Sequence, residues 1–217
     1  MSTLLTNLKI DVPEKLILYR LQFKNQRTQV DESVMALIRQ VTNEALALIE
    51  PKAVFELSDI DSATPDMTVL KNGFGIESRA VSNILKKSRK AVLLAGTLGQ
   101  AISDKIREYT ATDLTRAAIL DAAASELADE IGNRVQEIVA AEARQSGLAT
   151  TYRFSPGYSD WQLSAQPALL KALSADKIGL TSNASFILYP EKSITAVIGL
   201  EPCRTSCENC SACDPSS

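Results

Sequence analysis

The stretch from Asp113 to Gln145 constrains this chain more than any other. It is rich in alanine, its apolar residues keep helical spacing throughout, and Gly147 stops it. A helix over those ~33 residues would be about 50 Å long, so it must cross the whole body of a domain as a central core helix. Small residues at Ala117, Ala118, Ala122, Ala124 and Ala128 allow neighbours to pack closely, and Gly132 marks a bend or the approach of another backbone. With 217 residues, 45% hydrophobic and 23% charged, the chain has the makings of a soluble globular domain. At this size a single core suffices without staples.

The remaining segments alternate between helical and extended patterns. Asp31 caps a helix running to about Glu50, with Val34, Leu37, Ile38, Val41, Ala45 and Leu48 on one face and Pro51 beyond. Ala53 to Leu57 reads as a short strand, and the polar stretch Asp59 to Asp66, with Pro65, reads as a loop. Val69 and Leu70 form a short strand before the Asn72-Gly73 turn, and Ser78 to Ser88 is helical. Ala91 to Ala95 is the continuous apolar run of a strand covered on both faces. Gly96-Thr97-Leu98-Gly99 and a helix to about Tyr109 follow. The glycines serve either tight packing or an anion at the helix N-terminus, and packing is the preferred reading, since Gly-x-x-Gly is no nucleotide fingerprint. Ser164 is placed to cap a short helix with Pro167 in its first turn. Ser185 to Tyr189 and Ile194 to Leu200 read as a hairpin joined at Pro190-Glu191-Lys192. Together these predict a single α+β domain over 1–200 with a mixed or antiparallel sheet, a long central helix and a C-terminal hairpin. Residues 201–217 form a cysteine-rich tail.

Histidine is absent, which excludes Ser-His-Asp and Cys-His catalysis, Cys₂His₂ zinc and an imidazole ligand to iron or cobalt. The net charge of −3 argues against a nucleic-acid surface. Nothing near Met1 to Leu16 resembles a signal peptide and no apolar run would span a bilayer, so a cytoplasmic protein without membrane or nucleic-acid partners is expected.

Two segments carry chemistry. Tyr152-Arg153-Phe154-Ser155-Pro156-Gly157-Tyr158 places an arginine fork beside a tight turn, and Tyr152, Phe154, Tyr158 and Trp161 cluster within ten positions. Such a group packs a loop, or it receives a small zwitterionic or heteroaromatic ligand. The order Arg-x-x-Pro-Gly-Tyr resembles the motif of the activation (reactivation) domain of cobalamin-dependent methionine synthase. The acids Glu126, Asp129 and Glu130 on the long helix upstream fit the same pattern. So do Ile178-Gly179-Leu180-Thr181, Ser185 to Pro190, Ser193-Ile194-Thr195 and Gly199 downstream. The resemblance spans roughly residues 10 to 200. It departs from the family in having no counterpart of an early ligand-contacting aspartate, and in the tail that stands where the family continues into another strand.

The resemblance implies an S-adenosylmethionine site. Arg153 would bind the methionine carboxylate, Phe154, Pro156, Gly157 and neighbouring backbone would surround the adenosyl moiety, and Tyr158 would pack beside it. Glu130, or else Glu126 or Asp129, would hold the amino group or ribose; solvent exposure is the alternative for these acids. The function implied is reductive methylation, or reactivation, of a cobalamin held by a partner. That partner would be a corrinoid protein or a methionine synthase lacking its own activation domain, and a flavodoxin or ferredoxin would supply the electron. No residue of the chain is then catalytic, because cobalt is the nucleophile and the sulfonium activates its own methyl group. The alternative is a non-catalytic corrinoid-partner docking protein or an iron–sulfur redox accessory.

The second segment is Cys203-x₃-Cys207-x₂-Cys210-x₂-Cys213. Four thiolates this close suit a [4Fe–4S] cluster, or alternatively zinc, or else a tail prone to disulfides.

Overall fold

The computed structural model describes residues 2–23 and 31–203. At its centre lies the apolar run, as strand β5 (Lys90–Thr97), with every residue from Ala91 to Thr97 buried. Alternate side chains serve opposite faces: Val92 and Leu94 enter one core, while Ala91, Leu93 and Ala95 enter the other. Strand β2 (Lys52–Ala63) pairs with β5 along one edge and β9 (Ser193–Pro202) along the other, both antiparallel. β3 (Met67–Leu70), β4 (Gly75–Glu77) and β6 (Leu148–Thr150) complete the order β4-β3-β2-β5-β9-β6, and β1 (Thr3–Thr6) adds to the first half of β2.

Helices cover both faces. On one side α1 (Glu14–Arg20), α2 (Glu32–Leu48) and α4 (Gln100–Thr112) surround α5 (Leu114–Arg144), the long helix expected from the sequence. Leu120, Leu127, Ile131 and Val135 give α5 its buried stripe. On the other side α3 (Arg79–Leu85) and α6 (Gln166–Leu173) pack through Val81, Leu85, Leu169, Leu170 and Leu173. Asp31 caps α2 as expected, accepting from the Ser33 N–H at 2.8 Å, and Ser78 caps α3 through the Val81 N–H. The α+β architecture and the central helix stand as the sequence predicts.

Four local readings differ. β2 does not stop at Leu57. It continues to Ala63 and pairs with β3, with a register shift between Ile60 and Ser62, so only the turn around Pro65 remains of the expected loop. The end of β2, Asp61 to Ala63, is exposed and carries no apolar alternation, which leaves no strand signature, whereas Thr68 and Leu70 on β3 are buried. The segments 185–189 and 194–200 do not pair with each other. β8 (Leu188–Tyr189) forms its hairpin with β7 (Thr181–Ser182), while β9 joins the main sheet. Ser164 lies in a 3₁₀ turn (Leu163–Ala165), and Ala165 holds the cap position of α6. β1 and α1, at four and seven residues, are too short to show a period. β9 runs through Pro202, two residues into the stretch read as tail, and Cys207, Cys210 and Cys213 lie outside the described residues.

Gly96 shows how tightly α5 meets the sheet. A Cβ there would stand 2.5 Å from Ile131 Cγ2, so close packing accounts for this glycine. Gly96→Val is therefore expected to destabilise the domain by about 1–3 kcal/mol, the usual range for overpacking, measured by urea denaturation. A midpoint unchanged from wild type would contradict this packing.

Candidate functional site

After β6 the chain stays extended and rides along β9. The Thr151 N–H donates to the Gly199 carbonyl at 2.9 Å, and Phe154 and Val197 exchange backbone hydrogen bonds at 3.0 and 2.8 Å. Successive side chains of an extended segment face opposite ways. Phe154 accordingly packs on Trp161, with ring centroids 6.5 Å apart and 15° between planes, in the core beneath α6. Arg153 turns the other way, toward α5.

Gly132 makes room for it. A Cβ at Gly132 would lie 2.9 Å from Arg153 Cζ and 2.5 Å from Ile194 Cδ1. The sequence reading of Gly132 as a place of close approach is thereby specified: what approaches is a guanidinium and a β9 side chain. Arg153 Nη1 donates to Asn133 Oδ1 at 2.6 Å, and Asn133 Nδ2 donates to Glu130 Oε2 at 2.7 Å. Three residues on one turn of helix thus fix the arginine, whose other side-chain donors make no hydrogen bond among the described residues.

Beside this group a cleft of about 400 Å³ opens between α5, the 153–158 loop, α6 and β9. Asp129, Arg153, Pro156, Tyr158, Gln166 and Thr195 line it. Burial lowers the pKa of Arg153 from its ordinary value, opposed by the charges of Asp129 and Glu130. Burial and the neighbouring Glu126 raise that of Asp129, opposed by Arg153 and Arg20. The cleft therefore holds one cationic group, half-buried, and one anionic group at its edge, a match for the two charges of a zwitterion.

The acids divide in a way the sequence did not settle. Asp129 lines the cleft. Glu130 stands one remove away, engaged with Asn133. Glu126 is buried and accepts from Arg20 Nε at 2.5 Å, tying α1 to α5. Asn133 and Arg20 went unnoticed in the sequence, since neither lies in a motif.

The loop itself is pinned. The Gly157 N–H, at φ 93°, donates to the Trp161 carbonyl at 2.7 Å, so this amide serves the turn. Asp160 accepts from Ser78 Oγ at 2.6 Å and from the Arg79 and Ala80 N–H groups at the start of α3. These bonds, led by Ser78, hold its pKa below the ordinary value. Tyr158 packs edge-on against Phe154 and remains two-thirds exposed at the cleft's rim. The Cys203 N–H donates to the Gly147 carbonyl at 3.1 Å. Among the described residues, no cluster of Cys, Asp or Glu is placed to hold a metal ion, and no helix is long and apolar enough to cross a membrane.

Fold and cleft together define an α+β domain with a cleft that offers a fixed arginine, a carboxylate and an aromatic rim. No protein family and no curated protein matches the chain by sequence. Among solved structures, the chain shares the fold of the MetH reactivation domain, crystallised bound to AdoHcy. The TM-score is 0.66 over 95% of this chain and 80% of that one, at 13% identity. The likeness is one of fold, and it agrees with the resemblance drawn from Arg153 to Tyr158.

Asp129 gives a signed prediction. Its folded pKa is raised above the 3.8 of an ordinary aspartate. The native state therefore holds its proton more tightly than the unfolded chain, and stability falls as pH rises from 3.8 through the folded value. Asp129→Asn is expected to leave stability below that window unchanged and to raise it slightly above, as read from denaturation midpoints across pH. Destabilisation by the substitution at neutral pH would contradict the assignment.

Proposed function

We propose that this chain binds S-adenosylmethionine in the Arg153–Asp129 cleft and supports reductive methylation of a corrinoid held by a partner protein. The observation that carries the reading is that an arginine fixed by Asn133 and the carboxylate of Asp129 line one cleft. The fold likeness to a reactivation domain bound to AdoHcy stands beside it.

The cleft fits the ligand by chemistry. An amino-acid end carries one carboxylate and one ammonium, which Arg153 and Asp129 complement. Tyr158 offers an aromatic face at the rim, and a volume of about 400 Å³ is within the range of small-molecule sites. When bound, the sulfonium supplies an electrophilic methyl group, and the partner's corrinoid supplies the nucleophile. What remains for this chain is positioning: Arg153 and Asp129 hold the amino-acid end, and the pinned 155–160 loop forms one wall and limits water. The absence of histidine costs nothing here, since no proton has to be moved and any imidazole ligand to cobalt would come from the partner.

The second part of the proposal concerns the cysteines. Reactivation consumes one electron from an external donor of the flavodoxin or ferredoxin type. Cys203, Cys207, Cys210 and Cys213 are proposed to hold a [4Fe–4S] cluster that relays it, with zinc as the alternative occupant. Anaerobic reconstitution with iron and sulfide is expected to yield a cluster chromophore that is lost when all four cysteines become serine. Stoichiometric zinc in the protein as isolated, with no chromophore after reconstitution, would favour the alternative.

Calorimetric titration tests the ligand. AdoHcy and S-adenosylmethionine should both bind, and Arg153→Ala should weaken each by about tenfold or more, as expected for loss of a charge-assisted contact. No binding to wild type would overturn the reading.

A further inference from the structure

Gln166 is the first residue of α6, buried at 4% exposure, and it lines the cleft. Its carbonyl oxygen accepts from Thr195 Oγ1 at 2.7 Å, and Thr195 is itself buried on β9. A side-chain amide has two ends. With Oε1 tethered to the sheet, Nε2 makes no hydrogen bond among the described residues, and it is not sealed from solvent. Gln166 therefore brings a buried side-chain amide to the wall of the cleft, its oxygen tethered and its N–H₂ group without a hydrogen bond among the described residues.

We infer that Gln166 reads the nucleoside half of the ligand, donating from Nε2 to an acceptor on the base or ribose. The inference rests on the proposed nucleoside-sulfonium reading of the cleft and extends it. Arg153 and Asp129 already complement the two charges of an amino-acid end. A neutral donor set into the opposite wall, on α6 and β9, matches the neutral acceptors that an adenosine presents. The amide also keeps a lone pair on Oε1 beyond the one Thr195 uses, so it offers the donor and acceptor pair that side-chain amides use to read adenine. Discrimination follows from burial: a ligand that brings no acceptor leaves the N–H₂ group without its water and without a partner.

Gln166→Glu is the informative substitution. It keeps an oxygen for Thr195 and the shape of the side chain, but it exchanges the donor for an acidic oxygen, so Gln166→Met, which removes the donor without adding a charge, is measured beside it. Two probes separate the ends of the ligand: AdoHcy, and methylthioadenosine, a thioether nucleoside without the amino-acid portion. Gln166→Glu should weaken both by a similar factor, about tenfold. Arg153→Ala should weaken AdoHcy and leave methylthioadenosine unchanged. The fluorescence of Trp161, the single tryptophan, reports whether each variant keeps its core; Gln166→Met with retained fluorescence substitutes if the glutamate variant does not fold. Unchanged methylthioadenosine affinity in the Gln166 variant overturns the inference while leaving the AdoHcy reading intact. Failure of wild type to bind either probe overturns both.

Discussion

The structure depends on how closely α5 lies against the sheet. Gly96 on β5 admits Ile131, and Gly132 on α5 admits Ile194 and the Arg153 guanidinium. Those contacts set the distance between helix and strands at the level of the site. They also bring Asp129, Glu130 and Asn133 to the place where the 151–154 segment runs along β9. Were the helix one side chain further out, Arg153 would face water instead of Asn133, and the two charges of the cleft would be screened and movable. Close packing here is the means by which a binding group is held in register.

The site that results is built for holding. Arg153 is fixed by Asn133, Asn133 by Glu130, and the loop beyond by Asp160 on the start of α3. The Arg153–Asn133 and Asp160–Ser78 bonds join different elements, 20 and 82 residues apart, so the cleft forms only when those elements have packed together. In the proposed role methyl donor and corrinoid bring the chemistry, and the protein supplies orientation and partial exclusion of water.

What could be read in the sequence follows from physical regularity. The apolar run at 91–95 and the stripe of α5 are set by burial on repeating faces, and burial leaves a period. The Asp31 cap is read from local hydrogen bonding, which leaves a residue type. The end of β2 leaves neither, because Asp61 to Ala63 are exposed and show no apolar alternation. The strand partner of Leu188–Tyr189 is likewise invisible, since two residues carry no alternation. At the site, Arg153, Pro156 and Tyr158 stood out through a motif. The choice among Glu126, Asp129 and Glu130 depended on helix rotation and on Arg20, which arrives from α1 more than a hundred residues earlier and takes Glu126. Asn133 and Gln166 have no sequence signal at all: their roles arise from which neighbours claim one end of each amide.

The central claim is that the Arg153–Asp129 pair grips the amino-acid end of a nucleoside sulfonium. A crystal structure of the protein soaked with AdoHcy tests it most directly. The account predicts the ligand carboxylate on the Arg153 guanidinium and its ammonium toward Asp129, with the helix and loop unmoved. AdoHcy bound elsewhere, or in this cleft with its amino-acid end away from Arg153, would contradict it.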